Sequence, residues 1–167
     1  MFFPSGIIPS PPIRFRKRFE PGHFVAHKAI ERGFMACERI GLSRPRVMLA
    51  DDHRAMLEAE IALLSPHFDV VAAVADGASL VSEARRLHPD LIVTDITMPL
   101  LDGIDALHEL RASGSTAIFV FLTVHTEKEF VEACIEAGAM GYVKKSDMND
   151  HLVPAMETAF AGRPYLP

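Results

Sequence analysis

The sequence predicts an α/β domain with a parallel sheet covered by helices on both faces. Two observations carry this. From Arg46 onward, short apolar runs alternate five times with segments whose apolar residues recur at helical spacing, the pattern of repeated strand–helix units. Four of the runs also end in residues able to do chemistry. Val47-Met-Leu-Ala50 ends in Asp51-Asp52, and Asp90-Leu-Ile-Val-Thr ends in Asp95. Ile118-Phe-Val-Phe-Leu122 ends in Thr123, and Gly141-Tyr-Val ends in Lys144-Lys145. The C-terminal ends of parallel strands gather along one sheet edge, where ligands bind.

Strands are expected near 46–50, 69–74, 90–94, 117–122 and 140–144, and helices near 53–64, 78–88, 103–112, 127–137 and 149–160. In the first helix Leu57, Ile61 and Leu64 share a face, and Ser65-Pro66 ends it, since a residue before proline is pushed out of the helical region. Leu80, Ala84 and Leu87 line the second, which stops at His88-Pro89. Ile104, Leu107 and Leu110 line the third. Thr126-x-x-Glu129 reads as a capping box opening the fourth, and Gly138 closes it. Pro154 falls inside the fifth, where it removes a backbone bond unless the helix starts late. No internal repeat is visible.

A chain of 167 residues with 49% hydrophobic content has room for one well-filled domain and a tail. Charge divides sharply. Residues 1–46 hold nine Lys/Arg and three Asp/Glu, a balance of +6, whereas residues 47–167 balance to −11. Residues 1–44 are therefore expected to be a basic, Pro-rich, disordered N-terminal extension, and residues 45–167 the folded domain. Arg14-Phe-Arg-Lys-Arg-Phe19 has the composition of a segment that touches nucleic acid or anionic lipid, though a solvated tail is the commoner role. Val25, Ile30, Phe34, Cys37 and Ile40 outline a short amphipathic helix over 24–40, weakened by Gly33. Met35 is a natural alternative start. The extension is expected to be dispensable, so that a chain beginning at Ser43 keeps its thermal midpoint within a few degrees. No apolar run is long enough to span a bilayer. Prolines interrupt the apolar N-terminus, and its charges follow rather than precede it, so no signal peptide is read. Two cysteines, Cys37 and Cys134, make neither a disulfide framework nor a metal site. A cytoplasmic location, with no membrane attachment, is expected.

Three carboxylates, a hydroxyl and an ammonium should converge at the strand ends. That set suits a divalent metal and a phosphoryl group. Taken alone, Asp51-Asp52 reads more simply as a helix N-cap. The eight histidines show no metal-ligand spacing, and His53 reads as a first-turn residue. Alternation along the last strand sends Lys144 and Lys145 to opposite faces. Their spacing from Gly141 and Tyr142 favours Lys145 for the site.

Residues 46–166 resemble the CheY-like receiver domain of a two-component response regulator, closest to the NarL type. The resemblance rests on Ala50-Asp-Asp-His53, Asp95-Ile-Thr-Met-Pro99, Leu122-Thr-Val-His125 and Ala137-Gly-Ala-Met-Gly-Tyr-Val-Lys-Lys-Ser146, in that order and spacing. It implies a flavodoxin-like (βα)5 three-layer sandwich with strand order 2-1-3-4-5. It implies that Asp95 accepts a phosphoryl group from a sensor histidine kinase or phosphotransfer protein. Mg2+ would be held directly by Asp52 and Asp95, partly through water by Asp51, and by the backbone carbonyl of Thr97. Lys145 would pair with Asp95 and then with a phosphoryl oxygen. Thr123 would supply the switch hydroxyl, and Tyr142 the aromatic ring that moves with it. Thr97 and His125 match the positions that tune phosphate lifetime. Lys144 departs from the pattern, which has an apolar residue there. Phosphorylation would change the surface of the fourth helix, fifth strand and fifth helix, which is also the expected homodimer face.

The protein is expected to catalyse only its own phosphorylation and dephosphorylation. A Mg2+-dependent phosphatase of the haloacid dehalogenase kind needs a second aspartate two residues after the nucleophile, where this chain has Thr97. A pseudo-receiver would lack some of the five usual site residues, all present here. The alternative reading is the receiver part of a NarL-type DNA-binding regulator whose output domain is missing. No recognition helix follows Phe160, so specific DNA binding by this chain is not expected.

Overall fold

The computed structural model describes residues 43–166. Residues 1–42 of the extension expected over 1–44, including the helix expected at 24–40, lie outside the described residues. Five strands, β1 (Arg46–Ala50), β2 (Asp69–Val74), β3 (Leu91–Thr94), β4 (Ile118–Thr123) and β5 (Gly141–Lys144), alternate with five helices. The helices are α1 (Arg54–Leu64), α2 (Gly77–Leu87), α3 (Gly103–Ala112), α4 (Lys128–Glu136) and α5 (Met148–Phe160). All pairings are parallel, in the order β2-β1-β3-β4-β5. This is the flavodoxin-like architecture.

Side-chain alternation splits the core into two layers. Met48, Ala50, Ile92, Phe119 and Phe121 point to one face, under Leu80 and Ala84 of α2, Leu107 and Leu110 of α3 and Cys134 of α4. Val47, Leu49, Leu91, Val93, Val120 and Leu122 point to the other, under Leu64 of α1 and Leu152, Met156 and Ala159 of α5. Burial on both faces explains why β1, β3 and β4 are nearly unbroken apolar runs.

Caps and breaks fix where the helices begin and end. Asp76 caps α2 by accepting from Ser79 N at 2.7 Å. Asp102 caps α3 by accepting from Asp105 N at 2.8 Å. His88 ends α2 in the left-handed region, φ 49°, just ahead of Pro89. The capping box expected at Thr126-x-x-Glu129 does not form. The helix starts at Lys128, so Glu127 takes the N-cap position, and its carboxylate accepts from Thr126 N at 2.9 Å. Pro154 neither breaks α5 nor delays it. It lies on the exposed side of the helix, where water can satisfy the carbonyl it leaves unpaired. After α5 the chain returns to the sheet. Tyr165 forms a parallel bridge with Gly141, accepts from Tyr142 N at 2.9 Å and donates to Met140 O at 2.8 Å.

One glycine places the site. A Cβ at Gly103 would collide with the carbonyl oxygen of Asp95. The start of α3 can press against the end of β3 only because that Cβ is missing.

Candidate functional site

The sheet order sets β1 and β3 side by side, with Ala50 opposite Thr94. The next residues, Asp51 and Asp95, therefore emerge together at the C-terminal edge. Their backbones are pinned: Asp51 N donates to Val74 O at 3.1 Å, and Asp95 N donates to Ala50 O at 2.9 Å. Both are buried, with relative exposures of 1% and 5%.

Asp95 Oδ1 accepts from Ile96 N at 2.6 Å, and its Oδ2 accepts from Lys145 Nζ at 2.6 Å. Lys145 lies one residue beyond β5, in a turn of 3-10 helix over Lys145–Asp147. Its ammonium also approaches Asp51 Oδ2 to 2.5 Å. That second contact is a buried ion pair, and among the described residues Lys145 is the sole group that meets Asp51 Oδ2. Desolvation pulls the Lys145 pKa down, but the carboxylates of Asp51 and Asp95 outweigh it and hold it above the ordinary lysine value. Lys144 is exposed at the strand end.

Asp52 is exposed beside this pair. His53 is the N-cap of α1 rather than a first-turn residue. Its N–H donates to Asp51 Oδ1 at 2.8 Å, and its ring Nδ1 lies 2.8 Å from Asp52 Oδ1. Asp51, Asp52 and His53 offer ligand atoms within 4.8 Å of one another. An acidic pair with a buried carboxylate oxygen met only by an ammonium fits a hard divalent cation, which takes oxygen ligands.

Glu60 was not legible as a site residue. It lies in α1, 1% exposed, with Oε2 buried and unpartnered. Burial first, and then the Asp51 charge, push its pKa up to about 8, against the pull of Lys145. It is thus a neutral acid through most of the physiological range. The sequence held a signal: Glu60 stands three residues after Leu57 and four before Leu64, inside the apolar stripe of α1.

Four of the expected residues meet on the other side of Asp95. Thr123, fully buried, accepts from His125 N at 3.3 Å. Tyr142 Oη donates to His125 O at 2.8 Å. Burial above all pushes its phenol up to about 12, so it remains a donor. Thr97 Oγ1 and His125 Nε2 are hydrogen-bonded at 2.9 Å. The His125 ring stacks on Phe130, with centroids 4.0 Å apart and planes at 26°. The exposed loop residues Leu100 and Val124 flank these positions in sequence.

The model of the response regulator receiver domain matches residues 47–157. The chain belongs to this family. It is the receiver domain of a two-component response regulator. Among curated relatives, it is 38% identical over 119 residues to the nitrate/nitrite response regulator protein NarP of Escherichia coli, covering 70% of this chain and 55% of that one. It is 37% identical over 116 residues to the transcriptional regulatory protein PdtaR of Mycobacterium tuberculosis, covering 68% and 56%. The receiver thus spans little more than half the length of these relatives. A LuxR-family two-component response regulator from Aurantimonas sp. SI85-9A1 superposes with TM-score 0.70 at 36% identity, over 74% of this chain and 90% of that one. The receiver domain of the putative response regulator NarL from Mycobacterium tuberculosis gives TM-score 0.69 at 26% identity, over 72% and 99%. No helix among the described residues of this receiver is long and apolar enough to cross a membrane.

Proposed function

We propose that Asp95 is the phosphoacceptor of this receiver. The observation that carries it is the state of the Asp95 carboxylate: buried, one oxygen held by Ile96 N and the other by Lys145 Nζ, beside Asp51. Those donors fix the direction of the nucleophile and reduce its repulsion from an incoming phosphate. Positioning and charge neutralisation are what phosphoryl transfer asks of a protein. One Asp95 oxygen forms the bond to phosphorus, and the P–N bond of a phosphohistidine breaks. The electron pair returns to the donor imidazole, which takes a proton, leaving an aspartyl phosphate. Lys145 then pairs with a phosphoryl oxygen, and the Thr123 hydroxyl turns from His125 N to another.

Asp51, Asp52 and Asp95, with the Thr97 carbonyl, would hold Mg2+, which supplies the positive charge that lets an anionic nucleophile meet an anionic phosphate. The donor would be a sensor histidine kinase or phosphotransfer protein, and the setting cytoplasmic. The chain acts on itself only and is no enzyme toward other substrates. Movement of Thr123 and Tyr142 would alter the surface of α4, β5 and α5, where a homodimer would form. Several relatives are transcriptional regulators by name. In this chain residues 47–167 balance to −11, which repels DNA phosphates, and we propose no sequence-specific DNA binding for it. Any attachment through the Arg14–Arg18 cluster should vanish near physiological salt.

The test is incubation with acetyl phosphate or a histidine kinase in Mg2+. Acid-labile phosphate is expected on the wild type and not on Asp95→Asn, which keeps the shape and removes the nucleophile. Equal labelling of the two would refute the assignment.

A further inference from the structure

His125 is held at three polar points and on one ring face. Its N–H goes to the Thr123 hydroxyl, its carbonyl to the Tyr142 hydroxyl, and its Nε2 to the Thr97 hydroxyl. One ring face lies against Phe130 at 4.0 Å. The remaining ring nitrogen, Nδ1, faces Glu127 at 3.8 Å. Phe130 is itself anchored, half-buried against the core layer beneath α2, α3 and α4. The Phe130 stack and the Thr97 bond make the ring a strut that does not depend on Thr123 or Tyr142, the two groups that move on phosphorylation.

The strut spans a gap that matters. Thr97 stands three residues past β3 and His125 two past β4, and these strands are neighbours, with Thr94 opposite Phe121. Their hydrogen bond joins the loop after β3, which begins at Asp95, to the loop after β4. Hydrolysis of an aspartyl phosphate forms a P–O bond to water and breaks the P–O bond to Asp95. The water's proton passes to the departing phosphate, and the Asp95 carboxylate is restored. The attacking water must come in line, from the side opposite Asp95, and the receiver resemblance puts Thr97 and His125 beside that path.

We propose that Phe130 is a positioning residue for phosphate lifetime: by clamping the His125 ring onto Thr97, it keeps the Thr97–His125 bridge closed over Asp95 and slows hydrolysis. This rests on Asp95 being the phosphoacceptor. Nothing in the four matching motifs points to Phe130, which reaches His125 because α4 carries it back over the β4 loop.

The test compares Phe130→Leu, which keeps apolar bulk without a ring face, with Phe130→Tyr, which keeps the ring, in the full chain. Phosphate is loaded from acetyl phosphate in Mg2+, the donor is removed, and acid-labile phosphate is followed with time. The Leu variant should lose phosphate roughly three- to tenfold faster, the scale of a lost aromatic contact, and the Tyr variant at the wild-type rate. A small donor enters by the path water uses, so the Leu variant should also load faster. A protein merely destabilised would load more slowly. Thr97→Val, which deletes the bridging hydroxyl and keeps the backbone carbonyl, should match the Leu variant, and the double variant should be no faster than either. Proton shifts of the His125 ring report the stack without any phosphate. Wild type and Tyr should show the upfield ring-current shift, and Leu should not. Equal lifetimes in Leu and wild type would overturn the proposal, as would an unshifted His125 ring in the wild type. Failure of the wild type to carry phosphate would overturn the phosphoacceptor reading, and this one with it. Phosphate on the wild type with equal lifetimes overturns this one alone.

Discussion

The two ends of the sheet use the same chemistry to opposite purposes. At the N-terminal end, Asp90 Oδ2 accepts from Arg46 N at 2.8 Å, and the Arg46 guanidinium donates to the carbonyls of Leu87 and His88 at the end of α2. Acid and base there serve the backbone, tying β1 to β3 and closing a helix. At the C-terminal end, Asp51, Asp95, Glu60 and Lys145 are crowded and buried. Among the described residues, Glu60 Oε2 has no hydrogen bond, and Asp51 Oδ2 is met only by the Lys145 ammonium. Buried polar groups are ordinarily paired, and an unpaired acid beside two carboxylates that share one ammonium costs stability. The difference marks which end is built for folding and which is kept ready for a ligand.

Removing the central cation at each end should show the contrast most strongly. Lys145→Ala leaves two buried carboxylates uncompensated and should cost about 3 kcal/mol in denaturant unfolding without metal. Arg46→Ala loses partly exposed hydrogen bonds and should cost about 1 kcal/mol. Added Mg2+ should restore part of the first loss and none of the second. Equal losses, both indifferent to Mg2+, would erase the distinction.

Glu60 gives the next largest effect, in its pH dependence. Its pKa is raised from 4.5 to about 8 in the folded chain, so between those values the folded state holds a proton that the unfolded state has released. Stability conferred below pH 4.5 is therefore lost as pH rises through the window, by about 1 kcal/mol per pH unit. Glu60→Gln keeps the shape and cannot titrate. It should flatten that slope and gain roughly 2 kcal/mol on the wild type between pH 5 and pH 7. Parallel curves for the two proteins would mean that Glu60 is not the buried acid described above.

Two smaller effects sharpen the comparison within the acidic end. Asp52→Ala should weaken Mg2+ binding about tenfold, worth about 1.4 kcal/mol. Unchanged affinity in a titration would remove Asp52 from the metal site. Lys144→Ala, at the exposed strand end, should change stability by less than about 0.5 kcal/mol. A loss as large as that of Lys145→Ala would show that the neighbouring lysine shares the buried charge.

Much of this was legible in the residues. All five strands were read within a residue of their ends, because runs such as Val47–Ala50 and Ile118–Leu122, buried on both faces, can be little else. Their polar terminators followed from the parallel topology, which brings strand ends together whatever the loops do. Local chemistry was read less well. Asp76 and Asp102 stood in plain positions to cap α2 and α3 and went unread, while the box at Thr126 was read and does not form. One residue of displacement at a helix start decides such bonds, and spacing alone does not resolve one residue.

The sequence by itself determined the layers, the family and the residues gathered at the strand ends, because alternation and apolar periodicity act over a few neighbours at a time. Only the tertiary structure decided what those residues do to one another. That Lys145 spans Asp51 and Asp95 depends on three strands arriving at one edge. That Glu60 keeps its proton depends on burial and on the Asp51 charge, both set by how α1 lies on the sheet. That the Phe130 ring stacks on His125 depends on where the start of α4 lies beside the loop after β4. Desolvation, charge coupling and ring stacking act through space, between groups that the chain separates by as few as five residues or as many as ninety-four, and their strength is fixed by distances that no local pattern records.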